Sequence, residues 1–365
     1  MRLLVTSVIR HADARSKSGF LSVIEWPSGR ILARLPVPES VNRAADTNPR
    51  GGTRGVRGIS VRDGRLLVAN SETVFILDRS WRITDEISRP LMGGVHDVLA
   101  EDDGFWACCT NADLVVKFSW KGEVMEHWDC RGDSTVAARL GLDWAPPVRL
   151  DLDYRELEIA GRAESNLLHL NSLGTSPSGL LVSLGRISPR SRYLKSRARG
   201  FVAGLADRIG VRSSGEAVAP KQLTAVPSVQ REGSKSAVIR LGKDGAEILH
   251  LAEGTAVPNH NADELDGRLV FNDSNNDQVV ELSLDGSQSP SRVELPGEPP
   301  FARGLLRLGE RRVFVGSQAP AALYEVDLAE GSIQRKAELG GAPNESVFAI
   351  CGLPDDFDDP PDELR

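Results

Sequence analysis

The sequence predicts an all-β fold, a single six-bladed β-propeller, and three observations lead there. First, five segments share one grammar: a polar residue, a short strand, a turn containing glycine, a second strand and a third reading like Val-x-x-Leu. They begin at Arg57-Gly58-Ile59, His96-Asp97-Val98, His169-Leu170-Asn171-Ser172, His260-Asn261-Ala262-Asp263 and Arg303-Gly304-Leu305. Second, these starts lie 39, 73, 91 and 43 residues apart. A four-stranded blade takes about 40–45 residues, so the two long intervals read as blades carrying insertions. Third, the chain ends complement each other. Glu345-Ser346-Val347-Phe348-Ala349-Ile350 reads as an innermost strand with no successors. The N-terminus offers three strands, Arg2 to Val8, Gly19 to Trp26 and Arg30 to Val37, with no innermost one. Joining them makes the sixth blade and closes the ring without a free sheet edge.

Within the blades, Arg65-Leu66-Leu67-Val68 and Val74-Phe75-Ile76-Leu77 supply the strands of the first repeat. Gly267-Arg268-Leu269-Val270-Phe271 and Gln278-Val279-Val280-Glu281-Leu282 do the same in the fourth. Residues 1–365 therefore form one domain. An insertion at about 186–235 carries 11 Lys or Arg against 3 Asp or Glu. It reads as a solvated loop, a basic lid over an anionic substrate, or a contact with an acidic protein surface; Arg199 to Ile209 within it has the pattern of a short amphipathic helix. A second insertion, roughly Thr135 to Glu164, is mixed in charge and uninformative. The acidic run at 355–365 reads as a disordered tail.

Composition bounds the function. With 40% hydrophobic and 26% charged residues, 35 Gly and 21 Pro, the 365-residue chain fits a turn-rich globular protein and excludes disordered, collagen-like and coiled-coil classes. A net charge of −7 argues against nucleic acid as a partner. No apolar run approaches the roughly 18 residues of a transmembrane segment. Cys108, Cys109, Cys130 and Cys351 are too few and too irregular for a disulfide framework. The stretch Met1 to Ile9 is short, contains Thr and Ser, and leads into Arg10-His11-Ala12-Asp13, a poor cleavage site. A cytoplasmic location is expected, with the periplasm as the alternative.

In a propeller the innermost strands run along the central channel, so their first residues converge at one mouth. His96, His169 and His260 occupy such starts in three successive blades, and Arg57, Arg303 and Glu345 hold comparable positions in the others. The expected result is a ring of three imidazoles, two guanidiniums and a carboxylate. Facing imidazoles depress one another's pKa and stay neutral, which suits them to metal binding, acid–base work or nucleophilic attack. The bland alternative is a polar lining of a wet channel.

His169-Leu170-Asn171-Ser172, followed by Gly179-Leu180-Leu181-Val182-Ser183 and Arg186, resembles a signature of the arylsulfate sulfotransferases. So do His260-Asn261-Ala262 with Asp266-Gly267…Phe271-Asn272-Asp273, and His96-Asp97-Val98 with Asp103-Gly104. The resemblance covers three blades; the same motifs are also similar to an uncharacterised set of bacterial His-Leu-Asn propellers. It implies six blades and transfer of sulfuryl groups between phenols, so an anionic or phenolic small molecule as substrate. On that resemblance His260 would accept the sulfuryl group. His96 and His169 would serve as acid and base, while Asn171, Arg186 and Arg57 or Arg303 would hold the sulfuryl oxygens; apart from the resemblance, Arg57, Arg303, Glu345 and Asn261 are candidate substrate-binding residues.

Two alternatives stand beside this. His96, His169 and His260 resemble the three inner-strand zinc ligands of the amidating lyase propellers, and three neutral imidazoles would take Zn, Fe or Cu equally. On that reading the protein is a metal-dependent hydrolase, lyase or oxygenase, with Glu345 or Asp97 as base. The other alternative is a non-catalytic propeller that binds a partner.

Overall fold

The computed structural model describes residues 1–13, 15–48, 52–198, 235–253, 259–298, 301–309, 311–342 and 344–364. Strands follow one another in hairpin order. The chain begins with β1 (Arg2–Ile9), β2 (Leu21–Glu25) and β3 (Arg30–Leu35). A second blade holds β4 (Ile59–Arg62), β5 (Arg65–Ala69), β6 (Val74–Leu77) and β7 (Ile83–Ile87). A third holds β8 (Val95–Ala100), β9 (Gly104–Cys109), β10 (Leu114–Ser119) and β11 (Val124–Asp129). Two short helices, α1 (Ser134–Leu140) and α2 (Leu157–Ala160), precede β12 (Leu170–Ser176), β13 (Gly179–Ile187), β14 (Lys235–Gly242) and β15 (Gly245–Glu253). Then come β16 (Asn259–Leu265), β17 (Arg268–Asp273), β18 (Gln278–Ser283) and β19 (Ser291–Glu294). The last full blade is β20 (Arg303–Arg307), β21 (Arg312–Gly316), β22 (Ala322–Asp327) and β23 (Ser332–Glu338), and β24 (Glu345–Leu353) ends the series.

Six four-stranded antiparallel sheets result, and the first has the order β24-β1-β2-β3. The closure expected from the two chain ends is thus the observed one: Arg2 lies opposite Leu353 and Ile9 opposite Glu345. The second strand of each blade is apolar on both faces because both are covered. In β5, Leu66 and Val68 pack toward the first blade while Leu67 and Ala69 pack toward the third. In β13, Leu180, Val182 and Leu184 face one neighbour and Leu181 the other. One apolar cluster fills each of the six gaps between blades. Outermost strands face water, as Thr84, Asp85 and Glu86 in β7 and Val124 to His127 in β11 are exposed.

The second insertion forms α1, capped by Asp133, whose carboxylate accepts from the amides of Thr135 and Val136. Its Val136, Ala137 and Leu140 close the gap between the third and fourth blades. The basic insertion lies mostly outside the described residues, and so does the expected helix at Arg199 to Ile209. Among the described residues no helix is long and apolar enough to cross a membrane.

The acidic end corrects the sequence expectation of disorder. Phe357 is 3% exposed and packs edge-on against Trp81 with ring centroids 6.0 Å apart. Arg2 donates to the carbonyls of Pro354 (3.2 Å), Asp355 (3.3 Å) and Phe357 (2.7 Å), and Arg79 pairs with Asp356 at 2.6 Å. Trp81 Nε1 donates to the carbonyl of Asp358 at 3.0 Å. The charge count concealed one apolar anchor, and that anchor straps the closing blade to the second. Phe357→Ala is expected to cost about 3 kcal/mol in urea unfolding and to open the chain end to proteolysis. Unchanged stability and protection would show the strap to be passive.

Candidate functional site

The inner strands β4, β8, β12, β16, β20 and β24 approach the axis closely, and an extra residue bulges from each near its start. The bulged residues are His96, Asn171, Asn261, Gly304 and Phe348, each skipped by the pairing with its neighbour strand. In the second blade Ala69 accepts from Arg57 and donates to Gly58 while Ile59 pairs with Val68, which puts Gly58 in that place. A Cβ on Gly58 would come within 2.6 Å of the backbone of Asp97, so only glycine permits the approach of β4 to β8.

Counted from the bulge, the expected site residues do not share one register. His96 is at the bulge, Arg57, His260 and Arg303 precede it by one, His169 by two and Glu345 by three. Five of them nonetheless meet. The rings of His96 and His169 are edge-to-face with centroids 5.2 Å apart. Arg303 Nη2 donates to His260 Nε2 at 2.7 Å. Arg57 Nη1 lies 3.4 Å from His96 Nδ1 and donates to the carbonyl of Val95 at 3.4 Å. All three imidazoles are held well below the ordinary 6.5, first by loss of water. Arg57 and His169 act next on His96, Arg186 and Arg303 on His169, and Arg303 and His169 on His260. Arg186, expected here, is half-buried beside His169.

Each ring has its proton placed by partners. Thr110 Oγ1 gives its hydrogen to the carbonyl of Leu170 (2.6 Å), so at 2.6 Å it accepts from His96 Nδ1, as the carbonyl of Gly94 does at 2.9 Å. Ser274 Oγ gives its hydrogen to the carbonyl of Ala302 (2.5 Å) and accepts from His260 Nδ1 at 2.6 Å. Asn166 Oδ1 accepts from His169 Nδ1 at 3.0 Å. All three are therefore Nδ1–H tautomers whose Nε2 carries a lone pair. On His260 that lone pair is taken by Arg303. His96 and His169, both only partly buried, keep theirs without a partner among the described residues. The backbone of His169 is left-handed at φ 48°, a strained conformation for this residue type.

Three other expected site residues are placed elsewhere. Glu345, fully buried, accepts from Ser7 Oγ and Arg34 Nη2, both at 2.5 Å, inside its own blade. Its place near the bulge is taken by Phe348, on whose ring Arg303 Cζ rests at 4.2 Å, with Arg57 Cζ at 5.9 Å and the His96 ring at 5.7 Å. Asn171 and Asn261 bridge blades. Asn171 Nδ2 donates to the carbonyl of Asn259 at 2.7 Å, and Asn261 Oδ1 accepts from the amide of Gly304 at 2.8 Å. Asp97 does likewise, taking the amide of Leu173 at 3.0 Å and that of Val98 at 3.0 Å. Inner strands of neighbouring blades have no backbone ladder between them, and these side chains fill that gap. Phe348, Phe301 at 5.4 Å from the His260 ring, and Arg10, whose charge reaches His260 and Arg303, escaped the sequence reading.

The expected three-histidine metal site is also corrected. Among the described residues no three His, Cys, Asp or Glu side chains are arranged to hold a metal ion. The reason is chemical: His260 Nε2 is occupied by a guanidinium, and the charges of Arg57, Arg186 and Arg303 fall on the imidazoles. A cation there would meet the repulsion of these guanidiniums.

No family model matches the chain, and no curated protein matches its sequence. Similar solved structures include a protein of unknown function from Bacteroides caccae, with TM-score 0.52 at 12% identity, covering 96% of this chain and 97% of that one. A structure from the nidogen/laminin complex gives 0.54 at 8% identity, covering 95% and 97%. What these likenesses show is the fold. A virginiamycin B lyase from Staphylococcus aureus gives 0.46 at 8% identity, covering 97% and 99%. The six blades implied by the sulfotransferase resemblance thus stand, and the comparisons do not reach that family in particular.

Proposed function

We propose that this channel mouth binds a small oxyanion and carries out a His-dependent group transfer on it. One observation supports the reading above others. Arg303 is 7% exposed, and among the described residues no carboxylate lies within ion-pair distance and its Nε has no partner. A buried guanidinium without a counter-ion is costly, and an anionic ligand removes that cost. The sulfotransferase resemblance supplies the reaction class, transfer of a tetrahedral anionic group from an ester. Roles within it shift from the sequence expectation. His260 orients Arg303, and the nitrogens open for nucleophilic or base work are those of His169 and His96. Arg303 and Arg57 would hold the anionic oxygens, and Arg186 the charge beside His169.

His169→Ala is expected to lower turnover of aryl esters of tetrahedral acids by about 10²–10⁴-fold, with the thermal transition kept. Turnover equal to that of the wild type would overturn the reading.

A further inference from the structure

Resting on that reading, we propose that the oxyanion taken here carries its own hydrogen-bond donor beside its charge, as hydrogen phosphate and the monoanion of a phosphate monoester do and sulfate does not. The argument is one of complementarity. Arg303 gives Nη2 to His260 and its Nε has no partner, so this guanidinium keeps donor capacity for anionic oxygens, with the charge of Arg57 beside it. The neighbouring imidazoles offer the opposite. The Nδ1 hydrogens of His96 and His169 are spent on Thr110, Gly94 and Asn166, so the face they leave toward the channel is acceptor only. The two rings meet edge-to-face at 5.2 Å, so the two acceptors belong to adjoining rings at the channel mouth. His260 adds nothing to either side, since Ser274 and Arg303 saturate it.

A ligand at this mouth must present acidic oxygens to the guanidiniums and an O–H to the imidazoles. Hydrogen phosphate and a phosphate monoester monoanion have both. A sulfate ester has only lone pairs, which would face the lone pairs of Nε2. Protonating an imidazole would relieve that conflict, yet burial and the charges of Arg57, Arg186 and Arg303 work against the proton. The discrimination thus lies in unpaired acceptors, the feature by which hydrogen-bonding sites reject analogues lacking a donor.

The probes are inorganic phosphate and inorganic sulfate, titrated calorimetrically into the full chain at pH 7.5. Phosphate is expected to bind tighter by about 10- to 100-fold, the cost of leaving these acceptors unsatisfied once the ligand displaces water from them. His169→Phe keeps a ring and removes the acceptor, and it is expected to narrow the ratio to roughly threefold or less. His96→Phe gives the same test if His169→Phe loses its cooperative thermal transition. Equal binding, or tighter sulfate, overturns this inference and leaves the anion site standing. Binding of neither anion overturns both. A phosphate preference that persists undiminished in both variants overturns the assignment to the imidazoles.

Discussion

Arg303→Met should give a protein that is more stable than the wild type and almost unable to bind an anion. The two effects come from one cause. Arg303 is buried, and the charges felt there are chiefly repulsive: Arg10 and Arg57 oppose its proton, and Asp97 alone favours it. Its compensation is a contact with a neutral imidazole and the face of Phe348. Methionine keeps most of the apolar volume over Phe348 without the charge; removing a buried ion's desolvation penalty of several kcal/mol outweighs the about 1–3 kcal/mol lost where His260 Nε2 is left without its donor, for a net gain of about 1–2 kcal/mol. The same change removes a charge-assisted bond to the ligand, worth about 1.5–3 kcal/mol, or roughly 10- to 150-fold in Kd. Urea unfolding and phosphate titration on the same preparation test both halves. A variant that melts earlier and binds phosphate as well as the wild type would remove the basis for an anion site.

How far the sequence reveals this molecule depends on the range of the forces involved. Alternation, turn glycines and unpaired chain ends are local signals, and they specify the blades and their closure. Leu66 to Ala69 shows why: with both faces buried, the strand must be apolar throughout. That His96 and His169 come together was legible for the same reason. Their register was not. A bulge adds one residue to each inner strand, and the places it occupies hold Gly58, His96, Asn171, Asn261, Gly304 and Phe348, which share no residue type. Counting from strand starts therefore put Glu345 in the ring and passed over Phe348. That Asn171 and Asn261 tie blades together was not legible, because a side chain that ties two backbones has the same chemistry as one that binds a substrate. Only the spatial neighbour, here the Asn259 carbonyl or the Gly304 amide, separates the two. The packing of the acidic end was not legible from its charge, because Phe357 decides its place.

The second large effect is on stability against pH, where imidazoles and buried carboxyls pull in opposite directions. His96, His169 and His260 titrate near 6.5 when unfolded and well below it when folded. Below pH 6.5 the unfolded chain takes up protons that the folded one refuses. Each imidazole then costs up to about 1.4 kcal/mol of stability per pH unit of acidification. Asp97 behaves inversely. Burial pushes its carboxyl from 3.8 up to about 7, so the folded state keeps a proton that the unfolded state loses. Its contribution is complete below pH 3.8 and is lost as the pH climbs to about 7. Asp113, pushed up to about 6 by burial, follows the same sign over a narrower window. Asp97→Asn fixes the neutral form at one position and leaves the imidazoles alone. Relative to the wild type, the variant should therefore gain on the order of 4 kcal/mol between pH 4 and pH 8. It should also lose stability more steeply below pH 6.5, since the opposing carboxyl is gone. Urea unfolding at half-unit intervals measures both curves. If the two run parallel, Asp97 is ionised throughout, and it then shields Arg303 more strongly than the burial of both groups implies.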